Sequence, residues 1–425
     1  MKPGDVDLSD QRVFGRCVPH DYFRMLRRDA PVSWQPDAAD IERGGFWSVV
    51  RHADITAVEK NVAVFSSRTN VSPQYVRPEH LAKSVDHVVI LTDPPRHNFL
   101  RGGIMSAFTP KALAALEISI RNHVTDAIDA VIENGSCDFL DVAAYIPVEV
   151  VADMLGVPQA DRPALFDWAN AMFGSGDPEI SSPEKAQQAG EQMFGYAVKL
   201  AAQRRAQPTD DVFSTIANLR EDGELLGPLD LGGAFLIFAT AGNETTRSQM
   251  LHGLKMLMED PQAMADLRAN PALIGNAVEE MLRITSPALS FVRKATQDIE
   301  VGGQLVREGD RVVMWYCSGS RDELVFEDPD RFDIRRKNAR EHLAFGARGG
   351  IHHCLGAQLA RIELRILFEE LLNRMHDIAP AGVATRMHSN FTNGLKTLPI
   401  RFTPAARKGA RKVTLYASHR QAAAA

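Results

Sequence analysis

The sequence is short of several things, and each shortage closes off a class of function. It carries 4 cysteines in 425 residues, Cys17, Cys137, Cys317 and Cys354, far apart and with no Cys-x-x-Cys pair. That excludes a disulfide framework and points to a reducing, cytoplasmic setting. Charge of one sign is scarce: 48 Lys and Arg against 54 Asp and Glu leave a net charge of −6. No basic field for nucleic acid follows from that. Long apolar runs are missing too. The longest, "GGAFLIFATAG", is too short to span a bilayer. The start, "MKPGDVDLSD", is polar, so neither a secretory signal nor a membrane anchor is expected there. Internal repeats and Pro/Ser-rich linkers are also lacking. One domain over residues 1–405 is expected, followed by a basic, alanine-rich tail, 406–425, expected to be disordered.

What is present reads mostly as helix. "PKALAALEISIRNHVTDAIDAVI" has apolar positions three and four apart. "GFWSVV" (Gly45–Val50) alternates and predicts a strand. "DIEVGGQLVREGDRVVMWY" has Gly-Gly and Glu-Gly-Asp turns between β-branched runs and predicts a second small sheet. "SGDPEISSPEK" (Ser175–Lys185) reads as an exposed loop. The fold class is therefore mainly α with small β-sheets.

The unusual stretch is "AFGARGGIHHCLGAQLARIEL", Ala344–Leu364. Leu355, Leu359, Ile362 and Ile366 fall at helical spacing, which places Cys354 at a helix N-terminus. Free N–H groups and the helix dipole favour a thiolate there. Gly349, Gly350 and Gly356 let backbone approach a bulky flat group. Such a cysteine can be a nucleophile, a metal ligand, a haem ligand or merely a small apolar cap. Zinc fits poorly, because His352, His353 and Cys354 are consecutive and have no second ligand pair.

A second stretch, "FATAGNETTR" (Phe238–Arg247), ends an apolar helical run. Ala241 and Thr245 are one turn apart, so the Thr245 hydroxyl can bond the Ala241 carbonyl and loosen the helix ladder. Gly242 would leave room for a ligand. Glu244 adds an acid beside the alcohol, a pair suited to proton delivery in a dry pocket.

The cysteine stretch resembles the haem-binding signature of the cytochrome P-450 family, F-G-x-G-x-H-x-C-x-G followed by L-A-R. It matches through Phe345, Gly346, Gly350, His352, Cys354, Gly356, Leu359, Ala360 and Arg361. Phe345 stands nine residues before the cysteine where the family has seven, so the loop carries two extra residues. Other motifs resemble the family in order. Glu244 and Thr245 match its acid–alcohol pair. "EEMLRITSP" supplies its E-x-x-R pair as Glu280 and Arg283, with Arg331 of "FEDPDRFD" as third member of a buried network. "TDPPRHNFLR" matches D-P-P-x-H-x-x-x-R through His97 and Arg101. Arg293 of "FVRKA" and His352 complete the donors implied for the two propionates.

The resemblance implies the family's triangular helical prism around a buried haem b, with Cys354 as iron ligand and Phe345 and Gly356 lining the cofactor. It implies a monooxygenase that hydroxylates an unactivated C–H bond with O₂ and electrons from a separate ferredoxin or similar donor. A basic patch of Arg348, Arg361 and Arg365 is the expected dock, on a monomer. The expected pocket segments, Val71–Val89, Trp168–Gly176, Ala234–Ala241, Ala288–Val292 and Phe391–Leu395, are largely apolar and hold no arginine pair to grip a carboxylate. Ala241, Leu289, Val292, Phe391 and Thr392 are the expected contacts. A neutral terpenoid or steroid is the expected substrate. The alternatives are a fatty-acid or aromatic-acid hydroxylase, a haem-thiolate protein without oxygenase activity, and a thiol enzyme using Cys354 as nucleophile.

Overall fold

Short capping signals start the helices. Thr109, Ser182 and Asp260 each accept a backbone N–H of the following turn, and a proline stands next to each. A proline at the first helical position loses no bond there, and its fixed φ suits the helix. The helices so started are Pro110–Asp129, Pro183–Ala206 and Pro261–Ala269. The computed structural model describes residues 1–74, 76 and 85–416. Part of the expected pocket stretch Val71–Val89, and tail residues 417–425, lie outside the described residues.

The central element is the 32-residue helix Pro228–Glu259. It packs against Phe139–Leu155, Arg162–Phe173, Pro183–Ala206 and Ile274–Thr285. Phe139–Leu155 is apolar nearly all round and sits inside the largest core cluster, as expected of a helix with no solvent face. An added Cβ at Gly242 would stand 2.9 Å from Val151 Cγ2. Gly242 therefore lets the helix Phe139–Leu155 approach closely.

One five-stranded sheet lies at an edge, in the order Val32–Pro36, Gly45–Val49, Arg311–Met314, Phe291–Ala295, Phe65–Ser66. The pair Gly45–Val49 with Arg311–Met314 is parallel and the others antiparallel. The run expected to form a second sheet thus divides. Ile299–Val301 and Gln304–Val306 make a separate hairpin, while Arg311–Met314 joins the first sheet. The Ser175–Lys185 loop is pinned rather than free: Asp177 is buried, accepting the His388 amide at 3.0 Å and lying 3.1 Å from Lys396 Nζ.

The tail corrects an expectation. Residues 406–416 are not loose but lie along the helices Pro110–Asp129 and Phe139–Leu155. The Lys408 and Gly409 amides donate to Asp129 at 3.0 and 2.7 Å, and Arg411 pairs with Asp126 at 3.2 Å. Tyr416 is buried, stacks on Phe166 at 5.0 Å and bonds Glu149. A basic segment finds an acidic row and an aromatic slot, neither visible from its own composition.

Candidate functional site

The cysteine loop closes on itself despite its extra length. The Cys354 amide donates to the Phe345 carbonyl at 2.9 Å. The surplus residues form a turn in which Gly346 and Gly349 take φ of +79° and +83°, values that cost a side chain dearly. Glu59 accepts the Ala347 amide and holds the turn from the helix His52–Lys60. Gly356 then leads into the helix Ala357–Arg374. An added Cβ at Gly356 would meet only Cys354 Sγ, at 4.0 Å, and otherwise open space.

The Cys354 side chain keeps an open face although protein encloses it on the other sides. Burial pushes its thiol up, against the Gly356 and Ala357 amides and the charges of Arg101 and Arg361. The helix-terminus effect anticipated from the sequence is therefore outweighed by desolvation. Leu355, the next residue, packs against the same apolar cluster as Phe238, a cluster to which Ala239 of the central helix belongs. In that helix the Thr245 hydroxyl donates to the Ala241 carbonyl at 2.8 Å. Glu244 is 2% exposed, paired with Arg247 and 3.1 Å from Ser248 Oγ. Arg247 in turn bonds Asn170 at 2.7 Å. Burial raises the Glu244 carboxyl, against the Arg247 charge.

Beside the loop, four donors converge from three elements. The His97 and His352 rings lie 4.4 Å apart, and Arg101 bonds the His353 carbonyl at 2.7 Å. Arg293 lies 3.7 Å from Glu59. Burial, then the charges of Arg293, His97 and Arg101, hold His352 down to about 2. Burial also lowers His97 and Arg101. His97 Nε2 is buried with no hydrogen-bond partner among the described residues. A buried cluster so rich in donors and so poor in anions fits an anionic group. The two propionates of a haem beside an open cysteine sulfur meet that need.

Three supporting residues escaped the sequence reading. Glu59 links Arg293, Tyr316 and the loop turn. Ser67 Oγ stands 2.8 Å from His352 Nε2. Asp93 accepts the Ser67 amide at 2.8 Å and thereby ties that strand end to the His97 helix. Asp93 lies in a quoted motif; Glu59 and Ser67 carry no local signal.

The E-x-x-R pair is fully buried, with Arg283 Nε 2.7 Å from Glu280. Its third member is Arg336, not Arg331. Arg336 Nε reaches Glu280 at 3.0 Å, whereas the Arg331 side chain is 66% exposed and pairs with Asp333. Arg331 contributes only its carbonyl, which accepts from Arg283 and Arg336. Backbone direction after "FEDPDRFD" decides this.

The pocket expectations divide. Ala241 is exposed at the middle of a mostly buried helix. Phe391 is half-buried and faces Phe173 and Phe291 at 6.5 and 5.4 Å between ring centres. Leu289 is instead fully buried with Phe14, Phe23 and Trp315. Val292 faces the same cluster, because strand alternation sets it opposite Arg293. Thr392 is 1% exposed, its hydroxyl bonded to Ser389 at 3.1 Å. These three present no open surface to a ligand at the sulfur.

The docking patch also changes. Arg361 bonds Glu279 at 2.7 Å and covers the Phe345 ring at 4.6 Å. Arg365 pairs with Glu117 and Glu369 at 2.6 and 2.9 Å. Only Arg348 of the three is exposed and without an ion pair among the described residues.

The profile of the Cytochrome P450 family matches residues 64–400. The methyl-branched lipid omega-hydroxylase of Mycobacterium tuberculosis is 36% identical over 387 residues, 89% of this chain and 90% of its own. Linalool 8-monooxygenase of Pseudomonas putida is 35% identical over 407 residues, 94% and 99%. A solved Mycobacterium marinum cytochrome P450 in complex with pseudoionone aligns at a TM-score of 0.88 and 37% identity, covering 95% and 100%.

Proposed function

This chain belongs to the cytochrome P450 family, and from that premise we propose that it hydroxylates a hydrophobic, isoprenoid-like small molecule, a terpenoid or steroid. Haem b is the cofactor. Cys354 ligates its iron; Arg101, Arg293, His97 and His352 take the propionates; Phe345 and Gly356 border it. With a thiolate ligand the haem activates O₂ for insertion into a C–H bond. The observation that carries the reading is the Thr245–Ala241 hydrogen bond at 2.8 Å. It spends the hydroxyl proton on a helix carbonyl and leaves the oxygen free to accept a hydrogen bond from water. A haem-thiolate protein without oxygenase activity has no use for that arrangement.

Glu244 is the proton reservoir. Its pairing with Arg247 and Ser248 holds the carboxylate aside; released from Arg247 it would take up a proton from water, and rotation toward Thr245 would carry that proton to the helix opening. Arg247 then keeps its bond to Asn170. Phe173, Phe291 and Phe391 give the substrate an apolar wall. The names of the relatives support an apolar chain, a methyl-branched lipid in one and linalool in another.

Electrons come from a separate ferredoxin that approaches the Arg348 face of a cytoplasmic monomer, whose residues 1–416 act as one unit. No described helix is long and apolar enough to cross a membrane. The test is reconstitution with a ferredoxin system under labelled O₂, using linalool and a steroid. One labelled oxygen should enter the product. Thr245→Ala should bind substrate equally but divert most reducing equivalents to peroxide. Product without label, or binding only of small aromatic acids, refutes the reading.

A further inference from the structure

A cavity of about 270 Å³ lies on the far side of the sheet strand that carries Arg293. Its chemistry differs from that of the apolar cluster of Phe173, Phe291 and Phe391. Arg43, Arg68, Lys294, Arg311, Asp40 and Thr69 are among its lining, with Val76, Val85 and Val292 as its apolar part.

Most of these charges are already spent. Arg311 bonds Asp40 and Asp37, each at 2.8 Å, and the Pro73 carbonyl at 2.8 Å. Asp40 accepts the amides of Glu42 and Arg43 at 3.1 and 2.9 Å besides Arg311. Arg68 pairs with Asp86, and Arg43 donates to the Glu308 carbonyl at 2.6 Å. Glu42, the other lining carboxylate, is exposed at the rim.

Lys294 is different. It is half-buried, and its ammonium has no hydrogen-bond or ionic partner among the described residues. Strand register sets it between Ser66 and Arg311. Alternation points it away from Arg293, into this cavity. The loop opposite is held in shape: Asn70 Nδ2 donates to Ser72 Oγ at 2.8 Å and to the Gln74 carbonyl at 2.9 Å. Ser67, next in the chain to Arg68, contacts His352, two residues from Cys354. Ser67 thus links the chain at the cavity's edge to the cysteine loop.

We propose that this cavity holds the carboxylate of an amphipathic substrate, paired with Lys294, while the apolar chain runs past Val76 and Val85 toward the site of oxidation. This rests on the monooxygenase reading above and deepens it: the isoprenoid-like substrate carries an acid end. A half-buried, unpaired ammonium in a preshaped polar cavity is a better partner for a carboxylate than an exposed lysine, because less solvent screens the pair.

The experiment titrates the haem-loaded enzyme with farnesoic acid, its methyl ester and linalool, reading the haem spin-state shift and, in parallel, heat on binding. The acid should bind about tenfold more tightly than the ester. Lys294→Met should abolish that preference and leave ester and linalool unchanged, with an unaltered Soret band as the check on folding. Lys294→Arg should keep much of it. Equal binding of acid and ester, or a preference that survives Lys294→Met, overturns the proposal while leaving the monooxygenase reading intact. No shift or heat with any of the three ligands overturns the isoprenoid substrate and this proposal together.

Discussion

The protein holds two buried polar clusters, and they are built on opposite principles. In the Glu280–Arg283 cluster each guanidinium nitrogen of Arg283 has an acceptor: Glu280 twice, and the carbonyls of Ser320, Pro329 and Arg331. Glu280 is matched in turn by the Asp333 amide and Arg336. In the His97–Arg101–Arg293–His352 cluster the donors outnumber the acceptors, and His97 Nε2 has no partner among the described residues. Burial alone does not separate scaffold from site, since both clusters are inside. Saturation does. A satisfied network holds the chain in one conformation, whereas a deficit of anions stores affinity for one.

The largest effect should come from the cysteine beside the unsaturated cluster. Cys354→Ser should abolish the far-red-shifted Soret band of the ferrous carbon-monoxide complex and all turnover. Survival of that band would remove Cys354 as the ligand.

Next is the saturated cluster. Arg283→Met leaves Glu280 buried and half-paired, and should cost about 3–5 kcal/mol of stability, read by urea unfolding of the haem-free protein. The unsaturated cluster should behave in the opposite way. His97→Ala should change haem-free stability by less than about 1 kcal/mol, yet speed haem loss to apomyoglobin several-fold. Comparable unfolding losses in both variants would erase the distinction.

A pH titration sharpens it further. Burial would raise Glu279, but His342 and Arg361 hold it down at about 2. Because its folded value lies below its unfolded one, its contribution is complete above about pH 4.5. It is lost as pH falls toward 2, about 3 kcal/mol in all. Glu279→Gln should flatten that part of the stability profile. The smallest effect is expected at Arg331, whose exposed side chain pairs with Asp333. Arg331→Ala should cost less than about 0.5 kcal/mol, while Arg336→Ala should cost several times more.

The sequence was most legible where the chemistry is local. The Thr245–Ala241 bond needs only helical spacing, and Glu280 meets Arg283 because i and i+3 share a helix face. Cys354 at a helix start follows from the apolar period after it. The order of these motifs carried the fold, since each is a different piece of the same P450 architecture. Legibility ended where two distant segments had to meet. Arg331 and Arg336 are equally plausible on paper, and only the course of the loop Asp328–Arg336 brings the second onto Glu280. Leu289 and Val292 read as pocket residues, yet the N-terminal segment supplies Phe14 and Phe23 to cover them.

By itself, then, the sequence determined what depends on neighbours within a turn or a strand: the helices and their caps, the acid–alcohol pair, the cysteine at its helix mouth and the family to which the chain belongs. Tertiary structure alone decided which charges are spent. Glu59 comes to the cysteine loop from a helix 288 residues earlier, the basic tail settles on Asp126 and Asp129, and Lys294 is left without a partner among the described residues while Arg311, its neighbour across the strand, bonds Asp37, Asp40 and the Pro73 carbonyl. Ion pairing and burial depend on distance in space, to which spacing along the chain gives no guide once the segments belong to different elements.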